Sequence, residues 1–535
     1  IVPLQELHTY LVCYPTMRAF ERFELLERIS TTIERICQQL ASPQTSDEST
    51  AELRKNEPES GPQAKKNYWR EIQALNKNTI YEDTMVAAID GQYAQALWQQ
   101  PVEDLALIQR LSGLYTVFLS SQLATTTFFV DHYGAGANVK LLHFYEAFCK
   151  ERHQAGGWRT NYRVSGAHLS HMLEQQTVPH SLRLPELDQV LALRQEIYRW
   201  MEGQAVDEDG VRRLDPARLH AFVANFPLFV IPPRSLAFYC QTLLRDDIPS
   251  LVLNALHSGF GRSRARLQRL ESLISGESQS DSQRVEAPIL IDIAGAFNSN
   301  VNLRVAQTAY EIAYPGVVSA CPPEEQLPLT DLSIMYDPHT RRLQLLSERL
   351  GQAVLPVHLG LMADFWLPAL SRFLLRTFSV GPANPTPFSL RPLDLSPFEA
   401  ERPIKYYPRL AIGRVIIERA TWIVSAAYLP RHEKGASLFA YLLCLQRWLR
   451  THGLPQQCFV RVLFDSPAVD KNRKPLYIDF SNHLGVMMFE QLVNQTKLAL
   501  LLQEVLPDQP DLAISDGVAF YASECIFELT LKEGR

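Results

Sequence analysis

Lys405-Tyr-Tyr-Pro-Arg-Leu-Ala-Ile-Gly-Arg-Val-Ile-Ile417 is the most informative segment for the fold class, because its last part, Ala411–Ile417, is a short β-rich run. Comparable short runs separated by turns lie elsewhere in the second half of the chain, at Ala287–Ile293, Asp331–Tyr336, Leu343–Leu345, Ala353–Leu359 and Cys458–Leu463. Helices predicted at Ser437–Arg450 and Gly485–Leu506 interrupt them. This half is therefore predicted to be rich in mixed sheet.

The first half has a helical pattern. Phe20–Leu40 carries apolar residues at helical spacing, and Pro101–Gln122 and Pro185–Glu202 are predicted helices, the last with proline in its first turn. Residues 41–67 are polar and predict a mobile loop, and Asn78–Met85 predicts a strand. The expected fold is α+β with several subdomains: a helix-rich part at 1–274 and a sheet-rich part at 287–535 of the same domain.

Composition excludes several classes of protein. The 535 residues carry 52 basic and 58 acidic side chains, a net charge of −6, so any RNA contact must come from a local basic patch. No apolar run approaches the roughly 20 residues of a membrane span. The eight cysteines are scattered and form no CxxC pair, which argues against a zinc ribbon and favours the reducing cytoplasm.

Familiar motifs of cofactor, metal and nucleophile sites are missing from the sequence. There is no P-loop, no His-Glu-x-x-His and no Gly-x-Ser-x-Gly. Gly134-Ala-Gly136 is interpreted as a turn, and the pair His168 and His171 as structural. The other histidines, including His257 and His358, are expected to be packed or hydrogen-bonded. We therefore predict no metal and no tightly bound cofactor.

The densest basic cluster follows a glycine-rich turn: Arg262, Arg264, Arg266 and Arg269 come directly after Gly259-Phe260-Gly261. Arginine forks suit phosphate or carboxylate, and a helix opening at Gly261 would add an anion site at its N-terminus and place Arg262 and Arg266 on one face. The alternative is a solvated helix start with surface arginines. The residues alone leave these two interpretations evenly balanced.

A second candidate lies at the end of the predicted strand, in Asn78-Thr-Ile-Tyr-Glu-Asp83-Thr84. A carboxylate there can orient an amine or act as a base. Capping of the next helix by Asp83 or Thr84 is the commoner outcome for such a pattern.

Several segments in order resemble the tRNA-using glutamylation domain, the N-terminal domain of class I lantibiotic dehydratases. The segment from Lys405 to Ile417, leading to Trp422, resembles that family's Pro-Arg-[Leu/Ile] strand with a later tryptophan. Similar blocks are Phe129–Tyr145, Asn298–Asn302 before Tyr310, Ala353–Gly360, Leu367–Leu374, and Leu454-Pro455 with Pro475–Asp479. Their order across most of the chain carries the resemblance.

The resemblance implies an enzyme that takes an aminoacyl group from aminoacyl-tRNA and modifies a ribosomally made peptide. No second catalytic domain follows, so the chain resembles the small or split members. We favour a peptide aminoacyl-tRNA ligase, which extends the C-terminus of a carrier peptide using ATP and Mg²⁺. Glutamylation of Ser or Thr in a precursor peptide, for elimination by a partner biosynthetic enzyme, is the first alternative. A non-catalytic peptide-binding scaffold is the second.

The resemblance also gives roles to residues. Asp83 matches the acidic position implicated in aminoacyl transfer, and Arg262 matches a functional arginine after a glycine-rich turn, with Arg264 as the other candidate. Arg264, Arg266, Arg269 and Thr84 are expected to bind the tRNA or its aminoacyl group. The family's N-terminal region, with its leader-peptide binder, has no counterpart in this sequence. Because the chain starts at Ile1, we expect it to be part of a longer one.

Overall fold

The computed structural model describes residues 25, 28–29, 31–32, 35, 95–116, 118–154, 184–245, 248–265, 288–295, 302, 304, 307–315, 317, 319, 321–381, 388–391, 398, 402–463, 474–508, 511–512, 514–515 and 520–531. Two compact units are present, residues 1–88 and 89–535. In the first, the described residues are helical, and Leu25, Ile29 and Thr32 are buried at helical spacing. The helix predicted at Phe20–Leu40 is confirmed at these positions.

The second unit contains eight longer helices within its described residues. They are α1 (Gln95–Ser112), α2 (Leu119–Tyr133), α3 (Leu141–Gln154), α4 (Pro185–Glu202), α5 (Pro216–Ala224), α6 (Ala369–Phe378), α7 (Leu438–His452) and α8 (His483–Gln495). Helix α4 has the predicted bounds, and Ser437 caps α7 by accepting from the amide of Ala440.

A six-stranded sheet joins early and late parts of the sequence. Its strands are β2 (Val211–Leu214), β3 (Ser235–Arg245), β4 (Ile248–Ser258), β12 (Arg409–Ile412), β13 (Val415–Glu418) and β20 (Cys525–Thr530). The spatial order is β2-β12-β13-β4-β3-β20. Apolar residues of α1, α2, α4 and α5 pack with this sheet in one core, which includes Leu105, Ile108, Phe238 and Leu410.

A seven-stranded sheet carries the candidate site. Its strands are β1 (Asn138–Lys140), β5 (Ile289–Asp292), β6 (Tyr310–Ala313), β7 (Gln326–Pro328), β8 (Leu332–Asp337), β9 (Arg342–Ser347) and β10 (Gln352–Val357). The order is β1-β8-β9-β10-β5-β6-β7, and the four strands β10, β5, β6 and β7 run parallel. Helices α2, α3 and α6 contribute to its core. The carboxyl ends of the parallel strands therefore meet along one edge.

A five-stranded sheet completes the described architecture with a small β18–β19 ribbon (Ile514–Ser515 and Phe520–Tyr521). Its strands, in the order β11-β14-β17-β15-β16, are β11 (Ile404–Tyr407), β14 (Thr421–Ser425), β17 (Ala499–Glu504), β15 (Gln457–Leu463) and β16 (Leu476–Asp479). Helices α7 and α8 pack on it. The helices concentrate in the first half of the chain and the strands in the second, so the α+β prediction is confirmed.

Three predicted elements were wrong in detail. The single helix at Pro101–Gln122 is two helices, because the chain turns at 113–115 and again at 118. A Cβ on Gly113 would lie 2.8 Å from the carbonyl oxygen of Ile231. The run Ala411–Ile417 is a hairpin that turns at Gly413. The end of the predicted helix Gly485–Leu506 is strand β17, which pairs with β14 and β15.

Within the described residues, no helix is both long and apolar enough to cross a membrane. The proposed division at residues 275–286 stays a prediction. Strands from both sides of it pair in the six-stranded sheet, as β4 does with β13. The predicted loop 41–67, the strand Asn78–Met85 and the pair His168 and His171 lie outside the described residues.

Candidate active site

The glycine-rich turn singled out in the sequence connects β4 to a short helical segment at residues 262–265. Phe260 and Gly261 both have positive φ, 62° and 77°, and at Phe260 this conformation is strained because its side chain has a Cβ. A Cβ at Gly259 would overlap the hydroxyl of Ser235. The turn is therefore tight, and its sequence is constrained by contact with β3.

The start of the helical segment is capped by the protein itself. The Gly261 amide donates to both carboxylate oxygens of Glu528 (2.9 and 3.1 Å), and the Phe260 amide donates to Ser235 Oγ (2.9 Å). Ser235 in turn donates to Glu528 (2.9 Å). The expectation of an anion site at this helix N-terminus is therefore wrong for the Gly261 amide, because an internal carboxylate already accepts from it.

Arg262 points inward and is only 1% exposed. Its guanidinium donates to Ser258 Oγ (3.2 Å) and contacts the carbonyl oxygen of Met362 (3.5 Å). Burial lowers the pKa of Arg262 to about 9; the charge of Arg304 acts in the same direction, whereas those of Asp292 and Asp364 oppose it. The solvated-surface interpretation therefore fails for Arg262, whereas Arg264 is exposed as that interpretation expects.

The buried charges around Arg262 come from the carboxyl ends of β5 and β10. Asp292 ends β5, is 2% exposed and forms an ion pair with Arg304, whose Nε lies 3.1 Å from Asp292 Oδ2. The side chain of Arg304 is 6% exposed and also donates to the carbonyl oxygen of Asn302 (2.9 Å). The Asp292 carboxylate also accepts from the Leu359 amide (3.3 Å). One carboxylate thus ties together the ends of two neighbouring strands.

His358 follows β10 and is buried, in agreement with the expectation that it is packed or hydrogen-bonded. Its Nδ1 lies 3.2 Å from the carbonyl oxygen of Ile293, so Nδ1 carries the proton and Nε2 is an acceptor. Burial and the nearby charges of Arg262 and Arg304 lower its pKa well below the usual value. The imidazole is therefore neutral at pH 7, with an unprotonated Nε2, and the nearby positive charges oppose its protonation.

The loop after His358 is packed closely against the site. Asn302 Oδ1 accepts from the Met362 amide (3.2 Å), and a Cβ at Gly360 would overlap that oxygen. Asp364, which is 1% exposed, is paired with Arg376 of α6 at 2.6 Å. Among the described residues, this network therefore contains three arginines and two aspartates, which leaves an excess of positive charge suited to an anionic substrate group.

A cavity of about 280 Å³ opens at the carboxyl ends of β5 and β6, the position where ligands bind in parallel sheets. Glu311 and Ser319 line it together with Tyr314. Glu311 is the register partner of Asp292 across β5 and β6, so the cavity adjoins the buried network. The seven-stranded sheet therefore places an acidic cavity beside a basic cluster.

Sequence reasoning singled out one member of this network, Arg262, and its catalytic role stays a prediction. Asp83, Thr84, Arg266 and Arg269 lie outside the described residues. Asp292, Arg304 and Glu311 were missed, because each is a single charged residue without a motif. The available signal was an acid at the end of an apolar strand, as in Ile289-Leu-Ile-Asp292. Within the described ranges, no group of three His, Cys, Asp or Glu is arranged to hold a metal ion.

Part of the chain matches a known protein family. Residues 258–484 match the family model described as lantibiotic dehydratase, N terminus. This region includes Arg262, the seven-stranded sheet from β5 onward and the start of α8. No curated protein matches the chain.

Solved structures match over nearly the whole chain. Two structures of the glutamylation domain TbtB from thiomuracin biosynthesis, one bound to 5′-phosphodesmethylglutamycin, match at 26% identity and a TM-score of 0.68. The match covers 98% of this chain and 66% or 65% of theirs, just under two thirds. The tRNA-dependent lantibiotic dehydratase MibB from Microbispora sp. 107891 shares the fold at 14% identity and a TM-score of 0.52, over 95% of this chain and 43% of its own. Residues 258–484 therefore resemble the N-terminal domain of lantibiotic dehydratases, and the solved structures extend the likeness of fold to nearly the whole chain.

Proposed function

We propose that the chain transfers a glutamyl group from glutamyl-tRNA to Ser or Thr side chains of a ribosomally made precursor peptide. The observation that carries the proposal is the match, over 98% of the chain, to a domain described as a glutamylation domain. The peptide ligase, favoured on sequence alone, has no comparable support among these relatives. ATP and Mg²⁺ belong only to that ligase alternative.

The chemistry requires a positioned acceptor and charge stabilisation. The hydroxyl oxygen of the peptide attacks the carbonyl carbon of the aminoacyl ester, the bond to the ribose oxygen breaks, and the hydroxyl proton ends on that ribose oxygen. Because the ester is already activated, positioning and electrostatic stabilisation provide most of the catalysis. The excess positive charge contributed by Arg262, Arg304 and Arg376 suits the negative charge that develops at the carbonyl oxygen.

Within this proposal, His358 is the candidate proton acceptor. Its neutral imidazole is oriented by the Ile293 carbonyl, and Nε2 has no hydrogen-bond partner among the described residues. The partners of the reaction are glutamyl-tRNA, the precursor peptide and a partner enzyme that eliminates glutamate. Since charged tRNA is a cytoplasmic substrate, the proposal retains the prediction of a cytoplasmic enzyme.

Mass spectrometry of the peptide product tests the proposal. The full chain is incubated with glutamyl-tRNA and candidate precursor peptides that contain Ser and Thr, and the modified residues are located by fragmentation. Additions of one glutamyl residue at Ser or Thr, labile to mild base as esters are, support glutamylation. A single amide-linked residue at the C-terminus that requires added ATP identifies the ligase, and an unchanged peptide mass contradicts both enzymes and supports the scaffold.

A further inference from the structure

We propose that the cavity at Glu311 binds the α-ammonium group of the aminoacyl residue carried by tRNA. This inference rests on the proposed function, because it assigns part of the substrate to a particular carboxylate. The argument depends on the burial of Glu311, on the charge of its neighbours and on the volume of the cavity.

Glu311 is a buried carboxylate, 4% exposed, on the cavity side of β6. Ser319 donates its hydroxyl proton to Glu311 Oε2 and accepts from the Cys321 amide at 3.0 Å. The Cys321 thiol is the second neighbour: burial, with a hydrogen bond to Glu311, raises the pKa of Cys321 to about 12. Both neighbours are uncharged, so they hold the carboxylate in place without compensating its charge.

No Lys, Arg or His forms an ion pair with Glu311 within the described part of the chain. The other buried carboxylates nearby do have such partners, Asp292 with Arg304 and Asp364 with Arg376. Burying an ionised carboxylate is costly unless a counter-charge is supplied. A ligand with a positive charge provides that counter-charge, and the cavity provides access for it.

The volume of the cavity suits the aminoacyl part of the ligand. At about 280 Å³ it lies just below the range of roughly 300–1,000 Å³ typical of pockets for drug-sized ligands, so it has room for an amino-acid-sized group. Tyr314 and Val317 add aromatic and apolar surface for the carbon atoms, and an aromatic ring also attracts an ammonium group.

The neighbouring charges fit an aminoacyl ester attached to RNA. Glu311 and Asp292 are register partners on adjacent strands, and Asp292 leads to the arginines of the buried network. The edge of the sheet therefore changes from an acidic cavity to a basic cluster over one strand spacing, about 4.8 Å. The charges of an aminoacyl nucleotide are complementary to this arrangement, because it has a positive ammonium group at one end and negative phosphates beyond the ester.

Binding measurements with a stable substrate mimic test the assignment. The probe is tRNA in which glutamate is joined by an amide to a 3′-amino-3′-deoxyadenosine end, compared with the same tRNA acetylated on the α-amine and with uncharged tRNA. We expect the wild-type chain to bind the free-amine probe about tenfold or more tighter than the other two, as for a charge-assisted contact. Glu311→Gln should remove this difference.

The matched control is Glu324→Gln, because Glu324 is an exposed glutamate close in sequence and outside the cavity. It should retain the full preference for the free amine. Equal affinity of the wild-type chain for free-amine and acetylated probes would overturn the inference without any variant, so a folding defect in Glu311→Gln does not obscure the result. A preference that persists in folded Glu311→Gln would overturn it too.

Two further outcomes separate the inference from the function on which it rests. If the wild-type chain binds none of the three RNAs, the proposed function fails and the inference fails with it. The second outcome requires a chain that binds RNA and glutamylates the peptide. If peptide binding then depends on Glu311 and is weakened by acetylating the peptide's amines, while acetylating the tRNA's amine has no effect on RNA binding, the Glu311 carboxylate recognises the peptide. That result overturns the inference and leaves glutamylation standing.

Discussion

His358 combines burial with two nearby arginines, and this combination makes its protonation unfavourable in the folded protein. Its pKa is lowered from the ordinary value of 6.5, so below pH 6.5 the unfolded chain takes up a proton at this position and the folded chain does not. The unfolded state then binds more protons, and the free energy of unfolding falls as the pH decreases from 6.5 towards the lowered pKa.

We therefore expect His358→Gln to reduce this dependence on pH. The measurement is the free energy of unfolding in denaturant at pH 7.5 and pH 5.5, for the wild-type chain and the variant. The difference between the two pH values should be smaller in His358→Gln. His339→Gln is the matched control, since His339 lies in an exposed turn after β8 and should leave the difference unchanged. An unaltered difference in His358→Gln would show that the imidazole is protonated normally.

The hairpin of β12 and β13 depends on a glycine that has both a positive φ, 53°, and a close neighbour. A Cβ at Gly413 would overlap the carboxylate of Asp104. That carboxylate accepts from the Arg414 amide (2.7 Å) and from the Gln100 side chain (3.1 Å), and thereby links α1 to the hairpin. Asp104 is 2% exposed, and this burial raises the pKa of its carboxyl group.

Gly413→Ala should lower the free energy of unfolding by about 2–4 kcal/mol, from backbone strain plus displacement of a buried carboxylate. Gly435 provides the control, because its φ is 87° and a Cβ added there would have no other atom within 4 Å. Gly435→Ala should therefore cost only the strain, about 1 kcal/mol. Equal losses in the two variants, measured by denaturant unfolding, would contradict the role assigned to Asp104.

Helices and strands whose ends are marked by local residues, such as a capping serine or a proline in the first turn, could be predicted from the sequence. Elements that become helix or strand because of their spatial neighbours could not. Ser437 caps α7 and Pro185 begins α4, so both helices were located correctly from local residues. The leucine-rich run of β17 has no such signal. It is a strand because it pairs with β14 along one edge and with β15 along the other. A short apolar run does not reveal such long-range pairing.

At the scale of the whole molecule, the candidate site depends on topology. Asp292, Glu311 and His358 are 19 to 66 residues apart in sequence, and the parallel pairing of β10, β5 and β6 brings them to one edge. Parallel strands require crossover connections, so no local spacing reveals such a cluster. Arg262 was singled out because it opens the densest basic cluster, directly after a glycine-rich turn, and its inward orientation became evident from the fold.

The distribution of charge leads to a prediction about RNA binding. The chain carries a net charge of −6, so affinity for tRNA must come from a local basic surface rather than from overall attraction. Arg264, the exposed member of the cluster in the described residues, and Arg266 and Arg269 from the same sequence run are candidates for phosphate contacts. Arg262 is buried and is assigned to the site's internal network.

Replacing Arg264, Arg266 and Arg269 together by Gln should therefore weaken tRNA binding and reduce its dependence on salt. Each lost phosphate contact reduces the steepness of log affinity plotted against log salt concentration by roughly 0.7–0.9. Binding is measured between about 50 and 200 mM salt, with unfolding followed in parallel. Arg447→Gln combined with Arg450→Gln, on the exposed face of α7, is the control and should leave the slope unchanged. A triple variant with the wild-type slope would place the RNA surface elsewhere on the molecule.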